Sequence, residues 1–230
     1  MTDLAALTSP EAGELAAARA VLAVPVASTE QHGPHLPLST DADLAAALCG
    51  GLAAARPGML VAPPLAYGAS GEHEAFPGTL SIGAQALELL LVELCRSATR
   101  TFSRVLLVST HGGNAGAVRR AQRRLRAESR DILAWLPVWE GDAHAGRAET
   151  SLELALAPDR VRPERAEAGN TQPLTELMPL LRRSGVGAVS RNGVLGDPAG
   201  ASAAEGATLL SALLADLLAT VDAWMRGRAP

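Results

Sequence analysis

Pro25-Val-Ala-Ser-Thr-Glu-Gln-His-Gly-Pro-His-Leu-Pro-Leu-Ser-Thr-Asp-Ala-Asp43 decides how this chain is read. It leaves an apolar run, Val21 to Val26, whose unbroken hydrophobicity marks a buried strand. The chain then turns abruptly polar, with Glu30, His32, His35, Asp41 and Asp43 in close succession. Gly33, Pro34 and Pro37 exclude a regular helix or central strand here. A rigid, irregular loop therefore carries three carboxylates and two imidazoles. Like charges held close repel unless a proton or a cation sits between them. Carboxylate oxygen and imidazole nitrogen together suit Mn, Fe(II) or Zn. Taken singly, an acid in a loop is a solvated group and a histidine is a structural one. It is the density of such groups directly after a strand that points to metal.

The rest of the chain repeats the pattern of buried strand, polar loop and amphipathic helix. A short helix over Ser9 to Arg19 precedes the first strand. A helix over Asp43 to Arg56 follows the acidic loop, and Met59 to Ala62 is a short strand stopped by Pro63-Pro64. Tyr67-Gly-Ala-Ser-Gly-Glu-His-Glu-Ala-Phe-Pro-Gly-Thr79 is too long and glycine-rich for a mere connector. Helices over Ala84 to Thr101 and Ala115 to Glu128 flank a strand, Arg104 to Ser109, that runs into His111-Gly-Gly-Asn114. There the glycines permit a tight turn and Asn114 is placed to cap the helix. Asp131 to Val138 is the next strand, followed by Gly141-Asp-Ala-His-Ala-Gly146 and a helix carrying Glu149 and Glu153. Pro158 to Ala201 reads poorly, with a turn or two of helix over Leu174 to Leu181. A terminal helix spans Ser202 to Arg226.

This alternation predicts an α/β fold with a mainly parallel sheet covered on both faces, in one domain over residues 1–230. In such sheets ligands bind beyond the carboxyl ends of the strands. All five histidines, His32, His35, His73, His111 and His144, lie in loops that follow strands. Four loops meeting on one rim is the arrangement of an active site.

Composition excludes other classes. Twenty basic residues, none of them Lys, stand against 24 acids for a net charge of −4, which argues against nonspecific nucleic-acid binding. Cys49 and Cys95 fall in amphipathic helices without a CxxC pattern, so buried reduced thiols and a cytoplasmic setting are expected. Asp3, Glu11 and Glu14 leave no basic region for a secretory signal, and Glu205 and Asp216 interrupt the longest apolar segment, so no membrane association is expected. Neither a nucleophilic-serine elbow, a phosphate loop nor a dinucleotide fingerprint occurs.

With Glu30, His32, Asp41, His111 and Glu149 as ligands, two divalent metals sharing a carboxylate would be satisfied. Such a pair holds a hydroxide and polarises a carbonyl, and that combination hydrolyses amides or esters. His144 is placed to protonate the leaving amine. Glu149 reads equally as a ligand and as a first-turn acid that suits the helix dipole. We assign substrate contact to Ser70, Glu72, His73 and Asn114.

Ser28-Thr-Glu-Gln-His-Gly-Pro-His-Leu-Pro37 with Asp41, His111-Gly-Gly-Asn114, and His144 with Glu149-Thr-Ser151 resemble the creatininase family of binuclear metal amidohydrolases. The resemblance covers nearly the whole chain. It implies an α/β/α sandwich, a ring-like homo-oligomer, Asp41 as the bridge between metals, and His144 as a catalytic-site histidine. One position departs: creatininases carry a glutamate two residues after the histidine matching His111, where this chain has Gly113, which argues against creatinine as substrate. Tyr67 to His73, Gly141 to Gly146, Ala168-Gly-Asn170 and Asn192 to Pro198 resemble the branch that acts on a modified precursor peptide of a redox cofactor. That branch implies two divalent ions, iron(II) favoured over zinc or manganese, and release of a modified C-terminal Val-Tyr dipeptide. The rival readings are a small-molecule amidohydrolase acting on a formamide or cyclic amide, and a noncatalytic binder of peptide or metal.

Overall fold

The computed structural model describes residues 3–138 and 141–227. Four strands, β1 (Val21–Val26), β2 (Met59–Val61), β3 (Arg104–Ser109) and β4 (Asp131–Trp135), form an all-parallel sheet in the order β2-β1-β3-β4. The helices are α1 (Ser9–Ala17), α2 (Thr40–Ala55), α3 (Gly83–Ala98), α4 (Ala115–Ala127), α5 (Arg147–Leu156), α6 (Leu174–Ser184) and α7 (Ala203–Met225).

Period-two alternation of the strands divides the core into two layers. Leu22, Val24 and Val26 of β1 and Val105 and Leu107 of β3 face Leu87, Leu91 and Val92 of α3 and Val118 and Leu125 of α4. Val21 and Ala23 of β1 and Leu106 and Val108 of β3 face Leu44, Leu48 and Leu52 of α2, Leu152 of α5 and Leu217 and Val221 of α7. The result is the expected α/β/α sandwich. Each fully buried leucine contributes about 1.5–3 kcal/mol relative to exposure. Cys49 and Cys95 lie in these layers, and burial pushes both thiols up to about 12, so they pack as inert apolar groups.

Three boundaries differ from the sequence reading. Helix α2 begins at Thr40, which moves Asp41 and Asp43 out of the loop and into the first helical turn. Thr40 Oγ1 donates to Pro37 O at 2.8 Å and Ser39 Oγ to Asp43 Oδ2 at 2.7 Å, so the hydroxyls start the helix. Strand β4 stops at Trp135, two residues before Pro137. Helix α6 runs eleven residues despite Pro179 inside it.

Helix α7 is long and apolar enough to cross a bilayer by length and composition alone. Its acids instead tie it to the sandwich. Glu205 accepts from Arg147 and Ser151, Asp216 from Trp135 Nε1, and Asp222 from Arg56. A Cβ on Gly206 would stand 1.8 Å from Ser151 O, so α7 meets the backbone of α5 directly at that glycine.

Candidate metal centre

The parallel sheet delivers four loops to the carboxyl ends of its strands, as the strand-then-histidine pattern predicts. Glu30 and His32 follow β1, Asp41 opens α2, His73 follows β2, His111 follows β3, and His144 and Glu149 follow β4. All but Glu149 are buried, and Glu149 is half-buried. His111 Nδ1 lies 3.2 Å from Glu30 Oε1 and 3.6 Å from Asp41 Oδ2. His32 Nε2 lies 4.0 Å from both Asp41 Oδ1 and Glu149 Oε2. His144 Nδ1 stands 3.9 Å from Glu30 Oε1 and from Glu149 Oε2. The five expected ligands and His144 therefore share one pocket.

The protons on the rings can be assigned from their other partners. His32 Nδ1 donates to Glu30 O at 3.2 Å, His111 Nε2 to Ala69 O at 3.1 Å, and His144 Nε2 to Gln31 O at 2.8 Å. In each ring one nitrogen is spent on a backbone carbonyl and the opposite one faces carboxylates. This is how metal-binding imidazoles are held. His73 is wired the other way. Gln31 Oε1 accepts from Gly33 N at 2.8 Å, which fixes Gln31 Nε2 as a donor to His73 Nδ1 at 2.8 Å. The proton of His73 then sits on Nε2 and points at Glu30 Oε1, 3.3 Å away.

Among the described residues, Glu30 Oε1, His32 Nε2 and Asp41 Oδ2 are buried without a well-aligned hydrogen-bond partner. Buried polar atoms left this way are costly, and cations held among these side chains would satisfy them. Ligand-capable atoms group as Glu30, Asp41 and His111; as His32, His144 and Glu149; and as Glu30, His73 and His144, each set within 4.8 Å. The donors fit divalent ions of the oxygen- and nitrogen-loving kind.

With protons alone to balance the charge, the cluster is heavily perturbed. Burial raises Glu30, but His111, His73 and His32 outweigh it and hold the carboxyl well below its ordinary value. Burial and the Glu30 charge hold Asp41 well above its own. Burial, then His144, pushes His32 down to about 4 and His73 down to about 3. Burial opposes charge on His111, yet Glu30 and Asp41 raise it to about 10. That proton lies on the carboxylate side of the ring, where a cation would replace it.

The remaining expected residues separate. Glu72 lines the cavity above the cluster, its Oε1 3.5 Å from His111 Nε2, with its carboxyl raised by burial. Ser70 is fully buried instead: its hydroxyl bonds Ser28 Oγ, which donates to Glu30 Oε2 at 2.8 Å. Asn114 makes no helix cap. It accepts from Ala69 N at 2.8 Å and donates to Ala27 O at 2.9 Å, pinning two loops together. His35 packs aside, its Nε2 2.9 Å from Thr150 Oγ1. A Cβ on Gly113 would stand 2.3 Å from Glu72 Oε1 and 2.4 Å from both Ala69 O and His111 Nε2. Glu72 thus fills the space that a side chain at 113 would need.

Two contributors carry no assigned role in the sequence reading. Gln31 lies inside the first motif, and its contacts reach His73, His144 and Gly193 O. The 192–196 segment backs the His144 loop through Leu195 N donating to His144 O at 2.8 Å, while Ala143 N donates to Leu195 O at 3.0 Å. Ala145, next to His144, has φ +52, and its N–H reaches Glu149 Oε2 at 2.5 Å. A cavity of about 1040 Å³ opens over the cluster, walled by Glu72, His144, Glu149, Leu174, Met178 and Arg182 among others.

Residues 5–221 match the family model described as Creatininase: Creatinine amidohydrolase. The mycofactocin precursor peptide peptidase of Mycolicibacterium smegmatis is 51% identical over 212 residues, covering 89% of this chain and 85% of that protein. Its counterpart from Mycobacterium tuberculosis is 48% identical over 230 residues, covering 95% and 91%. A solved structure described as "Creatininase Mn" superposes with a TM-score of 0.79 at 27% identity, covering 100% of this chain and 99% of the other.

Proposed function

This chain belongs to the creatininase family, and from that premise we propose that it hydrolyses an amide bond of the mycofactocin precursor peptide, releasing the modified C-terminal Val-Tyr dipeptide. The observation that carries the reading is the set of buried, partnerless ligand atoms on Glu30, His32 and Asp41, of which Asp41 lines the cavity. Relatives named as peptidases for that precursor, matched over most of their length, supply the substrate.

We assign Glu30, Asp41 and His111 to one divalent ion and His32, Asp41 and Glu149 to a second. Asp41 Oδ1 lies nearer His32 and Oδ2 nearer His111, so this carboxylate would be the ligand shared between the two sets. When bound, the ions supply the Lewis acidity that activates water and polarises the amide carbonyl. Iron(II) is our assignment, with zinc and manganese as alternatives. Ser28 donates to Glu30 Oε2, and His73 Nε2 stands 3.3 Å from Glu30 Oε1, so the two flank the carboxylate. Water adding to the carbonyl must lose a proton, and the departing nitrogen must gain one. His144 lines the cavity, with Nδ1 3.9 Å from Glu30 Oε1 and Glu149 Oε2 while Nε2 donates to Gln31 O, and is positioned to take the first and return it to the second. The cytoplasm and a homo-oligomer complete the assignment.

The cavity volume favours a peptide over a ring the size of creatinine. Incubating the metal-loaded protein with the cross-linked precursor is expected to release the dipeptide derivative. Intact precursor with two bound metals would favour a small-molecule amidohydrolase. Substantially fewer than two metals per chain at saturation, with no turnover, would favour a binder.

A further inference from the structure

Facing the cluster across the cavity is one side of α6. This helix stands outside the sandwich, on a separate small cluster of Leu177, Val186 and Leu195 with Phe76, Leu181 and Val189 against it. It ends at Gly185, with φ +74, where an added Cβ would lie 2.8 Å from Glu72 O. The cavity wall from α6 is amphipathic: Leu174, Met178 and Leu181, then Arg182 and Arg183. Leu174 is 44% exposed. Both arginines are exposed, and among the described residues neither guanidinium has a carboxylate partner or a hydrogen bond.

The sign of this charge is what needs explaining. The chain is net negative, and Asp41, Glu72, Glu74, Asp142 and Glu149 line the rest of the wall together with His73, His111 and His144. Two unpaired guanidiniums beside exposed Leu174 and half-buried Met178 and Leu181 suit a carboxylate flanked by apolar groups. Cations in a last helical turn also suit the helix dipole, but that role is met by any exposed position and gives no reason to line the cavity.

We propose that Arg182 and Arg183 hold a carboxylate of the peptide substrate while Leu174, Met178 and Leu181 cover its apolar side chains. The site then selects anionic, partly apolar peptides over neutral ones. This rests on reading the site as that of a peptidase. The carboxylate comes either from an acidic side chain upstream of the cut or from a free C-terminus, and the two sources are separable.

The test uses the metal-loaded full chain and three synthetic peptides of one apolar sequence. One carries acidic side chains and a free C-terminus, one has Asp and Glu replaced by Asn and Gln, and one ends in a carboxamide. Binding is measured by calorimetry. The first peptide should bind about tenfold more tightly than one of the other two, and which one falls names the source. R182A/R183A should erase that difference, and R182K/R183K should keep part of it. Equal binding of all three by the wild type overturns the proposal. So does a double alanine variant that lowers the melting temperature yet keeps the preference, since that is the dipole role alone. Release of dipeptide from the precursor is scored separately. Cleavage without acid preference sinks the arginine assignment and spares the peptidase reading; acid preference without cleavage does the reverse.

Discussion

The amide of Gln31 is held at its oxygen by Gly33 N–H, and that bond orients its nitrogen onto His73 and through it onto Glu30. Roles at this site are thus set by which nitrogen each ring presents. His111→Ala removes a ring whose Nδ1 faces two carboxylates, and metal affinity should fall by more than the roughly 10–100-fold typical of outer partners. His35→Ala, which loses a bond to Thr150, should leave metal content near that of the parent in elemental analysis. Glu153 provides a pH test away from the metal site. Burial, then Asp43, raises its carboxyl to about 8, and neither of its oxygens has a partner as an acceptor. The folded state therefore keeps a proton that the unfolded chain loses near pH 4.5. Stability from this group is full below that value and is lost as pH rises through about 8. Glu153→Gln should flatten that slope in urea melts taken between pH 5 and 9. Residue types at the site were legible because histidines and acids crowd the same strand-following loops. Their roles were not, because Gln31 to His73, or Ser70 to Ser28, joins loops distant in sequence.

Strands β1 and β3 were readable to the residue, since unbroken apolar runs bounded by polar loops have no other fate in a covered parallel sheet. The start of α2 was not, because Ser39, Thr40 and Asp41 serve a polar loop and a helix entrance equally well until Pro37 O supplies the partner. Helix α6 was obscured by Pro179, which removes a backbone donor inside its eleven residues. Contact between α5 and α7 makes a sharper forecast. Gly206→Ala drives a methyl into Ser151 O and should cost about 1–3 kcal/mol as the helices part, read as a lower melting temperature. Ser151 also donates to Glu205 beside that glycine, so the same change should loosen the segment that carries Glu149 and reduce metal content in parallel.

Across the molecule, the sandwich gathers four acids, Glu30, Asp41, Glu72 and Glu149, around one group of histidines. Chelation should therefore lower the melting temperature and divalent ions restore it, by about 2.7 kcal/mol at a hundredfold excess over Kd. An unchanged melting curve on chelation would contradict cation binding at the cluster. The spread of these side chains along the sequence has a further consequence during synthesis. Glu30 and His32 leave the ribosome first, His111 emerges only after β3 is made, and Glu149 only after β4. The nascent chain carries isolated acids and imidazoles until its central strands have paired, so any ion held by all of these side chains would be captured late, after most of the polypeptide has been translated.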